Sequence, residues 1–301
     1  MKRIIGIFNN WFLFWLGIAV LCLVKVKHKI KGYSSPKPFD VSEVDRCIDY
    51  DIDTVDSWLD FLQKYVGEDS YLNGRKVLEL GPGSDLGVGL ILLAKGASEY
   101  NAVDSNNLVA SVPGTFYATL FGRLGKQNDI DALVLELDKL RNGKAERLNY
   151  IARNDFDIVS ALKKREVDLI FSQAAFEHFD DIDKTVSQMT QVSSYGAILI
   201  ITIDLQTHSR GIRESDPNNI YRYPNWLYKL FYFPGIPNRI RPIDYKNTLE
   251  KYGWVDIVIT PLTSLDAGAL ESIQPHLSTN YRNPSSDMDY LTILVCARRA
   301  K

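Results

Sequence analysis

Short apolar runs alternate with amphipathic stretches along most of the chain. Residues 76–80, Lys-Val-Leu-Glu-Leu, are β-prone; they break at Gly81-Pro82-Gly83 and pass into a helical pattern over 88–95. Residues 100–104, Tyr-Asn-Ala-Val-Asp, read as a second strand that ends in a carboxylate. Further strands are expected at 148–152, 167–172, 197–204, 255–260 and 290–297. The run at 197–204 is apolar on both faces, as the centre of a parallel sheet requires. Apolar residues recur at helical spacing over 55–65, 182–192 and 244–252. Strands alternating with helices predict an α/β fold built on an open, mostly parallel sheet.

Two stretches exceed what that alternation needs. More than forty residues separate Asp104 from the strand at Leu148, where a crossover typically needs a dozen or so. They include the aromatic stretch 115–124 and a second pattern over 130–140, so 105–147 is expected to be a helical insertion. A docked helix pair and a substrate lid both suit it. Residues 205–247 are irregular and rich in Asn, Pro, Arg and Tyr. They are expected to form an insertion on the substrate side.

The N-terminus has a different pattern. Trp11 to Val24 is an unbroken apolar or glycine run, preceded by Lys2 and Arg3 and followed by Lys25, Lys27, His28, Lys29 and Lys31. A spanning helix needs about 20 mostly apolar residues, a length reached here by including Asn9 and Asn10. Leu21-Cys22-Leu23 followed by lysines does not supply the small residues of a signal cleavage site. Residues 1–31 are therefore expected to be an uncleaved membrane anchor, spanning or lying in the interface. Residues 32–54, which include Gly32, Pro36 and Pro38, are expected to be a linker, and 55–301 the main domain. The heavier basic cluster after the run places that domain in the cytoplasm.

Composition narrows the chemistry. A chain of 301 residues can bury one large core with additions. Lys+Arg 35 against Asp+Glu 37 gives no general nucleic-acid footprint. The three cysteines, Cys22, Cys47 and Cys296, lack Cys-x-x-Cys spacing, and the four histidines lack His-x-x-x-His spacing. Neither a disulfide framework nor a metal site is expected.

Ligands of an open parallel sheet bind beyond the carboxyl ends of its strands. Four such ends are polar: Glu79–Gly83, Asp104–Ser105, Ser172–His178 and Asp204–His208. The glycines of the first let a ligand approach the backbone, and Asp104 suits the two hydroxyls of a ribose. A dinucleotide fingerprint is Gly-x-Gly-x-x-Gly; here the third glycine, Gly87, comes one residue late, and Glu79 precedes the turn. His178 and His208 are candidate bases for a hydroxyl acceptor, His208 first, with Glu177 and Asp204 to orient them. A helix-cap role is the plain alternative for Glu177. Arg210, Arg213, Arg222, Arg239 and Arg241 are interleaved with Tyr221, Tyr223, Trp226 and Tyr228. Such a group suits phosphate and sugar, or is a set of surface charges around a local aromatic core.

Glu79-Leu80-Gly81-Pro82-Gly83, the Ala-Val-Asp104 strand end, Phe176-Glu177-His178 and Asp204-Leu205-Gln206-Thr207-His208 occur in an order that resembles the class I S-adenosylmethionine-dependent methyltransferases, type 11-like. Asp85 stands where that family's first motif usually has a third glycine. Asn218-Asn219-Ile220-Tyr221-Arg222-Tyr223 and Asn238-Arg239-Ile240-Arg241 are similar to stretches in a bacterial subgroup associated with glycan or lipid-linked sugar biosynthesis. The resemblance covers about residues 55–298. It implies a Rossmann-like seven-stranded sheet with an antiparallel last strand and helices on both faces. It also implies S-adenosylmethionine as cofactor. Glu79, Gly81 and Gly83 would cradle its amino-acid part, Asp104 its ribose, and Ser105 would lie near the adenine. Asp155 and Phe156 would flank the adenine, with Asp157 second to Asp155, and Ser172 and Gln173 would line the sulfonium side. Arg210, Arg222, Tyr223, Asn238 and Arg239 would meet a glycan or lipid-linked acceptor. An NAD-dependent oxidoreductase and a non-catalytic anchored module are the alternatives.

Overall fold

The computed structural model describes residues 2–32, 42–125, 130–163, 165–283 and 286–301; the side chains of residues 2–8, 31 and 210 lie outside that description. Residues 33–41 of the expected linker fall outside it as well. Seven strands form one sheet: β1 (Lys76–Leu80), β2 (Glu99–Asp104), β3 (Leu148–Ala152), β4 (Val167–Gln173), β5 (Ser193–Asp204), β6 (Trp254–Ser264) and β7 (Tyr290–Arg299). Their order is β3-β2-β1-β4-β5-β7-β6. β7 is antiparallel to both β5 and β6, while the other pairings are parallel. This is the Rossmann-like sheet with one reversed strand that the sequence led us to expect.

Both faces of the sheet are buried, and the side-chain alternation shows how. Val77, Ile198 and Ile200 enter one core; Leu78, Leu80, Leu199, Ile201 and Ile203 enter the other. A period of two delivers successive side chains to opposite faces, so the central strands must be apolar throughout. The helices are α1 (Lys2–Lys31), α2 (Val44–Val66), α3 (Gly87–Ala94), α4 (Gly114–Leu124), α5 (Ile130–Arg141), α6 (Ile158–Leu162), α7 (Ile182–Val192), α8 (Arg210–Arg213), α9 (Asn225–Leu230), α10 (Pro242–Lys251) and α11 (Ala267–Ile273). α2 to α5 cover the first face, where Trp58 stacks on Phe171 with ring centroids 4.7 Å apart. α6, α7 and α10 cover the second.

α2 corrects one boundary. It starts at Val44, inside the stretch read as linker. Its buried stripe is Cys47, Ile48, Asp51, Thr54, Val55, Trp58 and Leu62. The spacing is helical, but two of its positions are polar, and that hid the first turns from a search for apolar periodicity. The 105–147 insertion is α4 and α5, docked on α2 and α3 through Phe116, Tyr117, Leu120, Leu133 and Leu137. Buried Glu136 pins its far end by accepting from the backbone N–H groups of Glu146 and Arg147 at 3.1 and 3.0 Å.

Residues 205–247 gather around a third cluster: Ile220, Tyr221, Tyr223, Tyr228, Ile236, Ile273, Leu277 and Met288. Phe14, Ile18 and Leu21 of α1 pack against it. The N-terminal helix therefore touches the body of the protein along one side.

Candidate active site

The strand order reverses between β1 and β4, and the crevice beyond the carboxyl ends there is where an open α/β sheet takes its ligand. A cleft of about 630 Å³ lies at that place. It is walled by the ends of β1 to β4, by α2 and α7, and by His28 of α1.

The turn after β1 is built for close approach. Gly81 and Gly83 have φ of 73° and 81°, in the left-handed region where a side chain is strained. A Cβ on Gly81 would meet the Ala175 Cβ at 2.6 Å, while nothing lies within 4 Å of one on Gly83. The space above Gly83 is open to a ligand. Asp85 stands at the position where a third glycine was expected, and its Oδ1 accepts from the Gly87 N–H at 2.9 Å at the start of α3.

Four carboxylates crowd this turn. Glu79 is buried at the end of β1, where Tyr100 Oη donates to its Oε2 at 2.5 Å. Burial, partly offset by Tyr100 and reinforced by Asp85 and Asp104, raises its pKa to about 8. Asp51 reaches in from α2; burial, then the charge and hydrogen bond of Asp85, push its carboxyl well above the usual range. Asp104 ends β2 and accepts from the Asn106 N–H at 3.0 Å. Burial raises its pKa despite the backbone N–H groups of Asn106, Gly83 and Ser105. A Cβ on Gly87 would fall 1.9 Å from Asp51 Oδ2, so α2 and α3 can sit this close because that position is glycine.

The expected cofactor residues divide. Glu79, Gly81, Gly83, Asp104, Ser105, Phe156 and Gln173 line the cleft. Asp155 lines it too, but its oxygens already accept from the Arg153 guanidinium at 2.9 and 2.7 Å, which holds its pKa down at about 2. Asp157 is an N-cap, accepting from the Ser160 N–H. Ser172 is a correction. It is fully buried off the cleft and donates to Leu80 O at 2.8 Å, which ties β4 to β1.

The four expected catalytic residues come together at the ends of β4 and β5. His208 Nε2 lies 3.4 Å from Asp204 Oδ2 and 3.9 Å from Glu177 Oε1. The His178 and His208 rings meet edge to face at 4.7 Å. His178 Nδ1 faces the Gly235 carbonyl at 2.5 Å, so it carries the proton and Nε2 keeps its lone pair. Burial and His208 lower the His178 pKa to about 4, leaving it neutral at pH 7. Asp204 is held below its ordinary pKa: hydrogen bonds from His208 and Arg213 outweigh its burial. Glu177 is held well above, by burial and then by Asp204. Of the four, His178 lines the cleft and the others stand behind it, which reverses the expected priority of His208. Glu177, His178 and His208 each offer a ligand atom, all within 4.8 Å of one another, a grouping that spacing along the chain does not reveal.

Four of the five expected acceptor residues have their polar atoms engaged within the fold. Arg222 is buried and donates to Asp216 Oδ2 at 2.7 Å and to Asn10 Oδ1 at 2.9 Å. Tyr223 donates to Asn219 Oδ1 at 2.7 Å. Arg239 donates to the carbonyls of Ile220 and Tyr223. Asn238 Nδ2 donates to the Phe176 and Phe179 carbonyls, bracing the turn that carries His178. Their polar atoms are spent on bracing, so they do not line the cleft. The Arg210 side chain lies outside the described residues. Residues that pattern reading missed are Tyr50, Asp51 and Thr54 on α2, Lys184 and Gln188 on α7, and His28. For α2 the signal was present: polar residues set in an otherwise apolar helical stripe.

No protein-family model matches the chain, and no curated protein sequence matches it. Solved structures similar to it include phosphoethanolamine N-methyltransferase 2 of Haemonchus contortus in complex with S-adenosyl-L-methionine. That match has 14% identity and a TM-score of 0.44, and covers 82% of this chain and 53% of that one. The CurJ carbon methyltransferase matches at 15% identity and a TM-score of 0.40, over 77% and 50% of the two chains. An S-adenosylmethionine-dependent methyltransferase of Mesorhizobium loti matches at 15% and 0.42, over 76% and 92%. The chain thus spans about half the length of the first two. Its fold rests on the strand order and pairing given above.

Proposed function

We propose that the protein is an S-adenosylmethionine-dependent methyltransferase acting on a hydroxyl of a glycan or lipid-linked acceptor at a membrane surface. One observation carries the choice of cofactor: the acidic wall around the glycine turn. Asp51, Glu79, Asp85 and Asp104 face one cleft; burial, and then the neighbouring carboxylates, raise the pKa values of Asp51 and Glu79, and burial raises that of Asp104. Such a wall suits a ligand bearing an ammonium and a sulfonium. It suits the pyrophosphate of a dinucleotide poorly, because the usual seat of that group, the helix N-terminus, is here met by Asp85.

Glu79 would hold the ammonium, Asp104 the ribose hydroxyls, and Phe156 and Gln173 would flank the remainder. The open space over Gly83 and the volume of the cleft fit a ligand of that size. Bound there, the cofactor supplies a methyl group already activated by positive sulfur. The chain's own work is alignment, exclusion of water and movement of one proton. His178, neutral and with Nε2 free of a hydrogen bond, is placed to take the proton of the acceptor hydroxyl. Calorimetry with S-adenosylhomocysteine and with NAD tests the reading. Binding of the first and not the second is expected, and the reverse would overturn it. His178→Ala should lower kcat by about 100-fold or more and leave S-adenosylhomocysteine affinity unchanged.

A second reading of the histidine cluster has its own support. Both Glu177 oxygens and the His178 Nε2 are buried without a well-formed hydrogen bond, and the His208 Nε2 has Asp204 Oδ2 beside it at 3.4 Å. The His178 Nδ1 contact with a carbonyl is the support that metal-ligating histidines use. A divalent cation would satisfy the Glu177 and His178 atoms and would take His208 Nε2 from Asp204. Loss of methyl transfer on chelation, restored by added metal, would favour that reading over the base.

A further inference from the structure

α1 contains an apolar segment long enough to cross a membrane, Asn9–Ile30, with mean hydropathy 1.6. Its contacts describe a different arrangement. Asn10 Oδ1 accepts from Arg222 at 2.9 Å, Leu13 O from Asn219 at 3.0 Å, and Phe14 O from Tyr223 Oη at 3.1 Å. Lys25 Nζ donates to Leu230 O at 2.6 Å, and the His28 ring lies 5.0 Å from that of Phe233. Gly17 sits at the closest approach, where a Cβ would be 2.0 Å from Tyr223 Oη. These residues form one helical face. Their contacts run from Asn10 to His28, roughly 27 Å of helix at 1.5 Å per residue.

A helix held along that length by the body of the protein, through both polar and apolar contacts, cannot also cross the bilayer. Crossing would draw Arg222, Asn219 and Tyr223 into hydrocarbon or strip them of their partners on α1. The opposite face is apolar and exposed: Trp11, Phe12, Trp15, Leu23, Val26 and Ile30. Beside it, Trp226, Leu230 and Tyr232 of α9 and the turn after it are exposed as well. Tryptophans, a tyrosine and flanking lysines are the composition of a membrane–water interface.

We propose that α1 lies in the plane of the membrane interface. Its Asn10–His28 face is docked on the catalytic body, and its Trp11–Trp15–Leu23–Ile30 face sits in the lipid with Trp226 and Leu230. The cleft then opens at lipid level, because His28, Pro234 and Gly235 line it next to the docked helix. The acceptor is an amphiphile presented from the bilayer, with its polar head reaching past His28. This last step rests on the methyltransferase reading; the placement of the helix does not.

The test uses the full chain on vesicles of phosphatidylcholine with a minority of phosphatidylglycerol. Cys22 is exposed on α1 while Cys47 and Cys296 are buried, so a fluorophore can be attached there. Nitroxide near the headgroup end of the acyl chains should quench it more than nitroxide near the chain terminus. The opposite order would establish a crossing helix and overturn the proposal. So would an absence of quenching by either probe, or self-association through this face without vesicle binding. Trp11→Glu with Trp15→Glu, both off the docked face, should weaken vesicle binding by roughly tenfold or more. That variant should keep S-adenosylhomocysteine binding but methylate an acceptor in bilayers poorly. Equal transfer to bilayer-borne and detergent-dispersed acceptor by this variant would overturn the amphiphile step. If the wild type binds no S-adenosylhomocysteine, the methyltransferase reading fails while the quenching result still decides the placement of α1.

Discussion

Glu79 shows at one position how a site is built against stability. Its pKa is about 8 in the folded chain, against an ordinary value of 4.5. The folded state therefore binds the proton more tightly than the unfolded state does. The associated stability is fully present below about 4.5 and is lost as the pH rises toward 8. Glu79→Gln removes this titration. Its melting temperature, relative to wild type, should rise between pH 5 and pH 8.5, with a gain of roughly 4 kcal/mol over that range. A constant difference across that range, measured without ligand, would contradict the assignment. The same group should couple to ligand binding. A cation bound beside Glu79 favours its ionised form, so at pH 7 binding should release a fraction of a proton. Calorimetry in buffers of different ionisation enthalpy reads this directly, and Glu79→Gln should abolish it. Gly87→Ala is expected to separate α2 from α3, since its Cβ would collide with Asp51. A loss of roughly 1–3 kcal/mol by denaturant titration is the expected scale for overpacking.

At the scale of elements, the segment after β5 holds itself together with buried arginines. Arg222 and Asp216 are paired with side chains 1% and 0% exposed, so neither charge has water to fall back on. Arg222→Met leaves the buried Asp216 carboxylate without a counter-charge, with only the Asn219 amide beside it, and should cost about 3–5 kcal/mol in thermal unfolding. Adding Asp216→Asn should recover part of that, because the stranded charge is removed. Cofactor affinity should be unchanged in the folded fraction, since neither residue lines the cleft. Arg241 follows the same logic. Its guanidinium donates to Ser286 O, Asp287 O, Tyr290 O and the Tyr221 hydroxyl, joining the start of α10 to the approach of β7. Helix α2 adds to the lesson: a buried helical stripe can carry polar residues where it faces a ligand. Asp51 and Thr54 are such positions, and they blurred the pattern that should have marked the helix.

For the whole molecule, the N-terminal helix is part of the packed body as well as its candidate route to the membrane. Removing residues 1–31 should lower the melting temperature, because Asn219, Tyr223 and Arg222 lose partners and the Ile220–Tyr228 cluster loses its cover. An independent anchor would come off without that effect. Alternation of strands and helices, the polar strand ends, the glycine turn and the apolar N-terminal run were all legible in the sequence. They are local or periodic signals, and a strand or helix imposes its period on neighbouring residues. The tertiary structure decided what those residues meet. Arg222, Tyr223 and Arg239 looked fit for a substrate, but they brace carbonyls and a carboxylate that the fold brings to them. His178 rather than His208 reached the cleft because of the turn that Asn238 holds in place. Asp51 joined Glu79, Asp85 and Asp104 across intervals of sequence that no spacing rule connects. Sequence patterns report which face a residue shares with its neighbours. Which partners stand opposite that face depends on how the elements pack.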